Sequence, residues 1–164
     1  MSDSIAREKV LKVIAECELH QRRIEYALTK LKQFMPLDTE RYKSLDNEQI
    51  EALDQFLFRF SKLQDAIGQR LFSGVLDVLE EPVKEASFLD RLNRLEQLNI
   101  IDNKEKWLNL RNMRNKLAHE YEDDARGMSE VLNLVYESYS ELVGIFVHVR
   151  TYIVSKLEEK KPSD

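Results

Sequence analysis

Residues 129–158 read SEVLNLVYESYSELVGIFVHVRTYIVSKLE, and the spacing of their apolar positions decides the fold class. Leu132, Val135, Tyr139, Leu142, Phe146, Val149 and Ile153 fall at alternating intervals of three and four. Residues so spaced stack on one face of an α-helix, so this is the seam of a helix packed along its length. Working back from it, Val10, Ile14, Cys17, Ile24, Leu28, Leu31 and Met35 mark a first helix from about Ser4 to Met35, with Gln21 completing the rhythm. Pro36 ends it, because the residue before a proline is pushed out of helical geometry.

The polar stretch through Ser44 and Asp46 offers an N-cap for a second helix, about Asn47 to Leu79. Its stripe is Leu53, Phe56, Phe60, Leu63, Ile67 and Leu71; Gly74 weakens it and Pro82 closes the region. Ser87 with Asp90 reads as a capping box opening a short helix through Leu89, Leu92, Leu95 and Leu98. Asp102 with Glu105 repeats that signal before Trp107, Leu110, Met113 and Leu117, and the acidic loop Glu122 to Gly127 breaks the pattern. No strand-like alternation competes, and four Gly and three Pro are too few to punctuate a multi-stranded β fold.

The expectation is one all-α domain over residues 1–164, an up-and-down bundle of about five helices with a tail, 159–164, that frays. Two helices of about 30 residues would each run roughly 45 Å at 1.5 Å rise, long for so small a bundle. They either bend or overhang the core and pack on a second copy; the expectation is a dimer.

Composition excludes several classes. No apolar run approaches the roughly 20 residues of a membrane span, and Met1-Ser2-Asp3-Ser4 has no apolar signal segment. A single cysteine, Cys17, allows no internal disulfide, and no Cys/His cluster has metal-ligand spacing, so a cytoplasmic protein with neither cofactor nor metal is expected. The net charge of −5 argues against coating nucleic acid by bulk electrostatics. Basic residues nonetheless concentrate locally, with Arg111, Arg114 and Lys116 and no acid between Leu108 and Lys116.

That basic segment opens the stretch Arg114-Asn115-Lys116-Leu117-Ala118-His119-Glu120-Tyr121. A guanidinium grips a phosphate through paired hydrogen bonds, and an imidazole moves a proton near neutral pH. Together they suit RNA cleavage: a 2′-hydroxyl needs a base, the departing 5′-oxygen needs a proton, and the five-oxygen phosphorus between them gains charge. Arg114 and His119 stand five positions apart, about 140° around an ideal helix, so they converge only if the helix loosens or the arginine wraps round. The acidic residues from Glu120 onward favour such loosening, which makes a cleft lined by Arg114, Asn115, His119 and Tyr121 sterically reasonable, though not forced. Asn115 lies one turn before His119, where its amide can orient the ring. One histidine serves one of the two proton transfers, so two copies in one groove would supply both.

The Arg-x4-His-x-Tyr pattern of Arg114, His119 and Tyr121, on the penultimate helix of a small helical protein, resembles the signature of the HEPN superfamily. More narrowly it is similar to the HepT toxins, which are paired with minimal nucleotidyltransferase antitoxins. The resemblance implies a homodimer with metal-independent endoribonuclease activity on RNA, with no membrane or DNA partner. Arg114 would contact the scissile phosphate, His119 would transfer protons, Asn115 would support them, and Tyr121 would be the tyrosine that the nucleotidyltransferase silences with AMP. Arg111 is a further candidate for RNA contact. The phrase from Arg59 to Asp65 on the second helix also resembles this group, with no chemical role assigned to either residue. The chain is longer than a bare HEPN core, and its first helix is expected to cover or extend the cleft.

The competing reading of the motif is a solvated helix end, with Arg114 paired to Glu120 or Glu122 and His119 resting on the helix dipole. A further alternative keeps the fold without the activity: a binding module that docks a nucleotidyltransferase and serves as its substrate. Trp107 and Cys17 read as core, and Arg59 and Asp65 as ion-pairing residues.

Overall fold

The computed structural model describes residues 2–119 and 123–159, and all of its regular structure is helical. The elements are α1 (Ser2–Leu31), α2 (Thr39–Lys43), α3 (Asn47–Asp65), a π-helical turn (Ala66–Leu71), α4 (Phe72–Val78), α5 (Phe88–Gln97), α6 (Lys104–His119) and α7 (Ala125–Glu159). Ala66 and Phe72 keep right-handed helical dihedrals, so α3, the π turn and α4 form one continuous rod. The described residues thus make six rods where the apolar pattern announced five. The addition, α2, is a five-residue TERYK segment with no buried residue, capped by the Asp38 carboxylate on the Arg41 N–H at 2.7 Å. Without an apolar stripe it leaves no periodic trace.

Contacts between elements fix the topology. Val10 lies against Gly74, Glu16 meets Arg70 and His20 meets Arg59, so α1 runs antiparallel to the α3–α4 rod. Arg7 donates to the Leu157 carbonyl, Glu18 meets Arg150 and Glu25 meets Tyr139, so α1 is antiparallel to α7 as well. Asp102 and Lys106 share a depression with Gly144 and His148, while His119 shares one with Leu134, which makes α6 and α7 an antiparallel pair. The result is a four-rod up-and-down bundle, with α2 laid on α7 and α5 linking α4 to α6.

The predicted stripes of the long rods supply the core, but on α5 the stripe residue Leu89 is half exposed, and Met113 and Leu117 of α6 are only partly buried. Ile24, Leu31, Leu63, Ile67, Leu142 and Phe146 are fully enclosed, and each such side chain contributes about 1.5–3 kcal/mol. Cys17 belongs to the same core, and burial pushes its thiol up to about 12.

Helix ends differ from expectation where the capping residue does. Asp46 caps α3 in a full capping box with Gln49, and the Ser87 hydroxyl caps α5 at the Asp90 N–H. At α6 the cap moves one residue on. Asn103 accepts from the Glu105 N–H at 2.8 Å, and Asp102 instead pairs with Lys106. α7 begins at Ala125, ahead of Ser129, because Asp124 accepts from the Gly127 N–H at 3.0 Å. α1 stops at Leu31, ahead of Met35; turns lead to Leu37, whose N–H and carbonyl are both held by the Asn133 amide at 2.7 Å. That clip fastens the α1–α2 link to α7.

α5 is fixed by two arginines. Arg94 grips Glu81 at 2.8 and 3.0 Å, and Arg91 reaches the Val83 and Lys84 carbonyls and the Ser73 hydroxyl. These bonds hold Phe88, the first residue of α5, beside α6.

Candidate functional site

Trp107, Arg111 and Arg114 stand four and three residues apart, so they share one face of α6. That face meets the α3 rod where α3 becomes the π turn. Close approach depends on Gly68: a Cβ there would lie 2.8 Å from Trp107 Cζ2. π turns widen the helical barrel, interrupt the regular hydrogen-bond ladder and recur at functional positions. Here the turn starts directly after Asp65 and carries Gly68 and Gln69.

The meeting brings Arg114 onto Asp65. Nη1 donates to Oδ1 and Nη2 to Oδ2, the latter at 3.2 Å, in a two-pronged pair whose side chains are 39% and 29% exposed. Asp65 thereby sets the plane of the guanidinium. With one N–H of each terminal nitrogen committed, Arg114 retains Nε–H and the second N–H of each terminal nitrogen for another acceptor. Arg111 lies over the Phe88 ring, 4.8 Å from its centroid. Together with Gln64, Gly68, Gln69 and Trp107, these residues enclose a cavity of about 190 Å³.

The other half of the motif faces elsewhere. Asn115 and His119 are exposed and line an open groove of about 620 Å³ with Asn112, Met113, Lys116 and Leu134 of α7. No hydrogen bond joins Asn115 to His119 among the described residues, and His119 is the last residue of α6. Within one chain Arg114 and His119 therefore line two different depressions, as their angular separation on the helix requires. Tyr121 lies outside the described residues, as do Glu120 and Glu122, the acids expected to pair with Arg114 if the segment were merely a solvated helix end.

Arg59 and Asp65 do not pair with each other. Arg59 Nη1 donates to His20 Nδ1 at 3.1 Å, which makes Nδ1 the bare nitrogen and leaves the ring proton on Nε2, 3.5 Å from Glu16. His20 is buried, and that burial holds its imidazole below the usual range despite Glu16. Glu16 is gripped by Arg70 at 2.6 and 2.7 Å, and this pairing keeps its carboxyl below the ordinary carboxylate value. The cluster ties α1 to the α3 rod.

Asp65 is the residue whose role the linear pattern leaves undefined and the structure supplies. Gln64 is a second, and a signal for it exists: it continues the Phe56–Phe60 spacing, so a polar residue stands at a core register. Phe88 and Gly68 gave no signal, since their significance depends on α5 and α6 arriving beside them. Among the described residues no three His, Cys, Asp or Glu side chains come together as a metal-holding group, and no helix is long and apolar enough to cross a membrane. No protein-family model matches this chain, and no curated protein or solved structure is found similar to it.

Proposed function

We propose that this chain is a metal-independent endoribonuclease of the HEPN type, acting as a homodimer and as the toxin half of a pair with a minimal nucleotidyltransferase. The observation that carries the reading is Arg114, pinned by Asp65 in a fixed plane with donors to spare, on the helix whose last residue is the exposed His119. An arginine held in place loses little freedom when a phosphodiester arrives, so its hydrogen bonds go into stabilising the charged phosphorus species. The imidazole of His119 takes the 2′-hydroxyl proton as the O2′–P bond forms. The same group from the second copy returns a proton to O5′ as the P–O5′ bond breaks, leaving a cyclic phosphate and a free 5′-hydroxyl. A second copy is required because Arg114 and His119 of one chain look into separate depressions. The open groove around His119, with the exposed Leu134 on its far wall, is where that copy docks. Asn115 supports the imidazole, Arg111 touches RNA, and Tyr121 receives AMP.

One feature favours the second reading, a non-catalytic module that docks the nucleotidyltransferase: Asp65 neutralises the arginine charge a phosphate would seek. RNA cleavage in EDTA by wild type, Arg114→Ala and His119→Ala separates the two. Cutting by wild type, with losses of about 10²-fold or more in both variants, supports the nuclease. Absence of cleavage by wild type, with Tyr121-dependent AMP transfer by a partner enzyme, supports the docking module.

A further inference from the structure

We infer that the cavity between the π turn and α6 is a pocket for one unpaired nucleobase, with Gln64 and Trp107 as its hydrogen-bonding groups and the base's own phosphate reaching Arg114 at the rim. This rests on the RNA-cleaving reading and adds to it the manner in which the strand is held.

Two buried polar side chains in this wall have no partner. Gln64 is 3% exposed, yet neither its amide nitrogen nor its amide oxygen is hydrogen-bonded, and the Trp107 indole N–H, in a residue 2% exposed, is likewise unpaired. Folded proteins pair nearly all such groups, and an unpaired one is a burden that leucine at position 64 would remove. Both residues line the same cavity, together with Phe88. Both amide atoms and the Trp107 Nε1 are closed to solvent, so engaging a ligand requires the Gln64 side chain to turn toward the lumen and the indole N–H to be uncovered. In turning, the amide gives up no hydrogen bond.

Shape and charge select the occupant. About 190 Å³ is smaller than the roughly 300–1,000 Å³ that drug-sized ligands occupy, so a single ring system fits and an extended chain does not. The walls are planar: the Trp107 indole, the Phe88 ring and the Arg111 guanidinium lying on that ring. Unpaired bases in RNA are held in this way, stacked on aromatic and guanidinium planes and read along their edges. The glutamine amide offers a donor beside an acceptor, which matches the adjacent donor and acceptor of a base edge, and the indole N–H takes one further ring acceptor. Arg114 keeps unused N–H groups at the mouth, where the attached phosphate would lie.

Trp107 is the only tryptophan of the chain, so its indole N–H gives a single assigned ¹H–¹⁵N cross-peak in the intact protein. Titration with adenosine, cytidine, guanosine and uridine, and with their 5′-monophosphates, is expected to shift that peak saturably, the monophosphates binding more tightly. Gln64→Leu should weaken binding about tenfold or more while its thermal midpoint holds or rises, because an unpaired amide has been replaced by an apolar group. An unmoved peak with all eight compounds, or Gln64→Leu binding like wild type, overturns the pocket. The two claims fail separately. Saturable binding without RNA cleavage retains the pocket and removes the nuclease; cleavage with an unmoved peak and an unaltered KM in Gln64→Leu does the reverse.

Discussion

Gly68→Ala sets two effects of opposite sign against each other. Glycine inside a helix is poorer than alanine by about 0.8–1 kcal/mol, so propensity alone predicts stabilisation. The added methyl, however, would stand 2.8 Å from Trp107 Cζ2 and 3.6 Å from Cε2, where unstrained carbon contacts lie at about 3.5–4.0 Å. The indole must therefore retreat by roughly 0.7 Å. Behind it the Phe72 ring packs edge-on at 4.9 Å, and Trp107 has almost no solvent face to move into. With the indole boxed in, overpacking falls in the upper part of its usual range, about 2–3 kcal/mol, which exceeds the propensity gain and leaves a net loss of about 1–2 kcal/mol. For a chain of 164 residues that corresponds to a midpoint roughly 2–8 °C lower in calorimetry. Gly144→Ala supplies the contrast: a Cβ there meets nothing within 4 Å, so it should raise the midpoint by a few degrees. If Gly68→Ala is as stable as Gly144→Ala, α6 does not approach the π turn as described, and the cavity has no fixed wall.

Asp65→Asn removes the carboxylate that pins Arg114 and neutralises it. RNA should bind more tightly, with a salt dependence steeper by up to about one phosphate contact, while kcat falls tenfold or more because the guanidinium has lost its fixed plane. An unchanged kcat would refute the positioning role. His20 predicts a pH arm of stability. Because burial holds its imidazole below the ordinary 6.5, the unfolded chain takes up the proton first as pH falls. Stability is therefore complete above 6.5 and declines below it, toward the folded-state value. Urea midpoints from pH 7.5 to 5 should show this slope in wild type and a flatter one in His20→Gln, which keeps an acceptor for Arg59. An equal slope in both proteins would assign the titration elsewhere.

The long rods were legible because burial imposes a rhythm. Val10 to Leu31, Leu53 to Leu71 and Leu132 to Ile153 repeat at three and four, and those positions form the core. What escaped lacks such a rhythm. α2 buries nothing, and the choice of Asn103 over Asp102 as cap of α6 turns on one residue of backbone geometry. The site was half legible. Arg114 and His119 stand out by chemical type, but the shared cleft expected of a loosened helix is absent within one chain, where they line separate depressions. The ligands of Arg114 did not stand out, since Asp65 lies 49 residues away and reaches it only through the packing of Gly68 on Trp107. Gln64 continues the Phe56–Phe60 spacing, a signal that the stripe from Leu53 to Leu71 passes over, and nothing in the sequence marks its lack of a partner.

The sequestered thiol of Cys17 has a practical corollary. With its proton held to about 12 and no surface, the native sulfur will not compete for maleimide or nitroxide reagents at neutral pH. A cysteine introduced at Leu134 would then be the one reactive handle on each molecule. Spin labels placed there would report the spacing between two copies without any background to subtract.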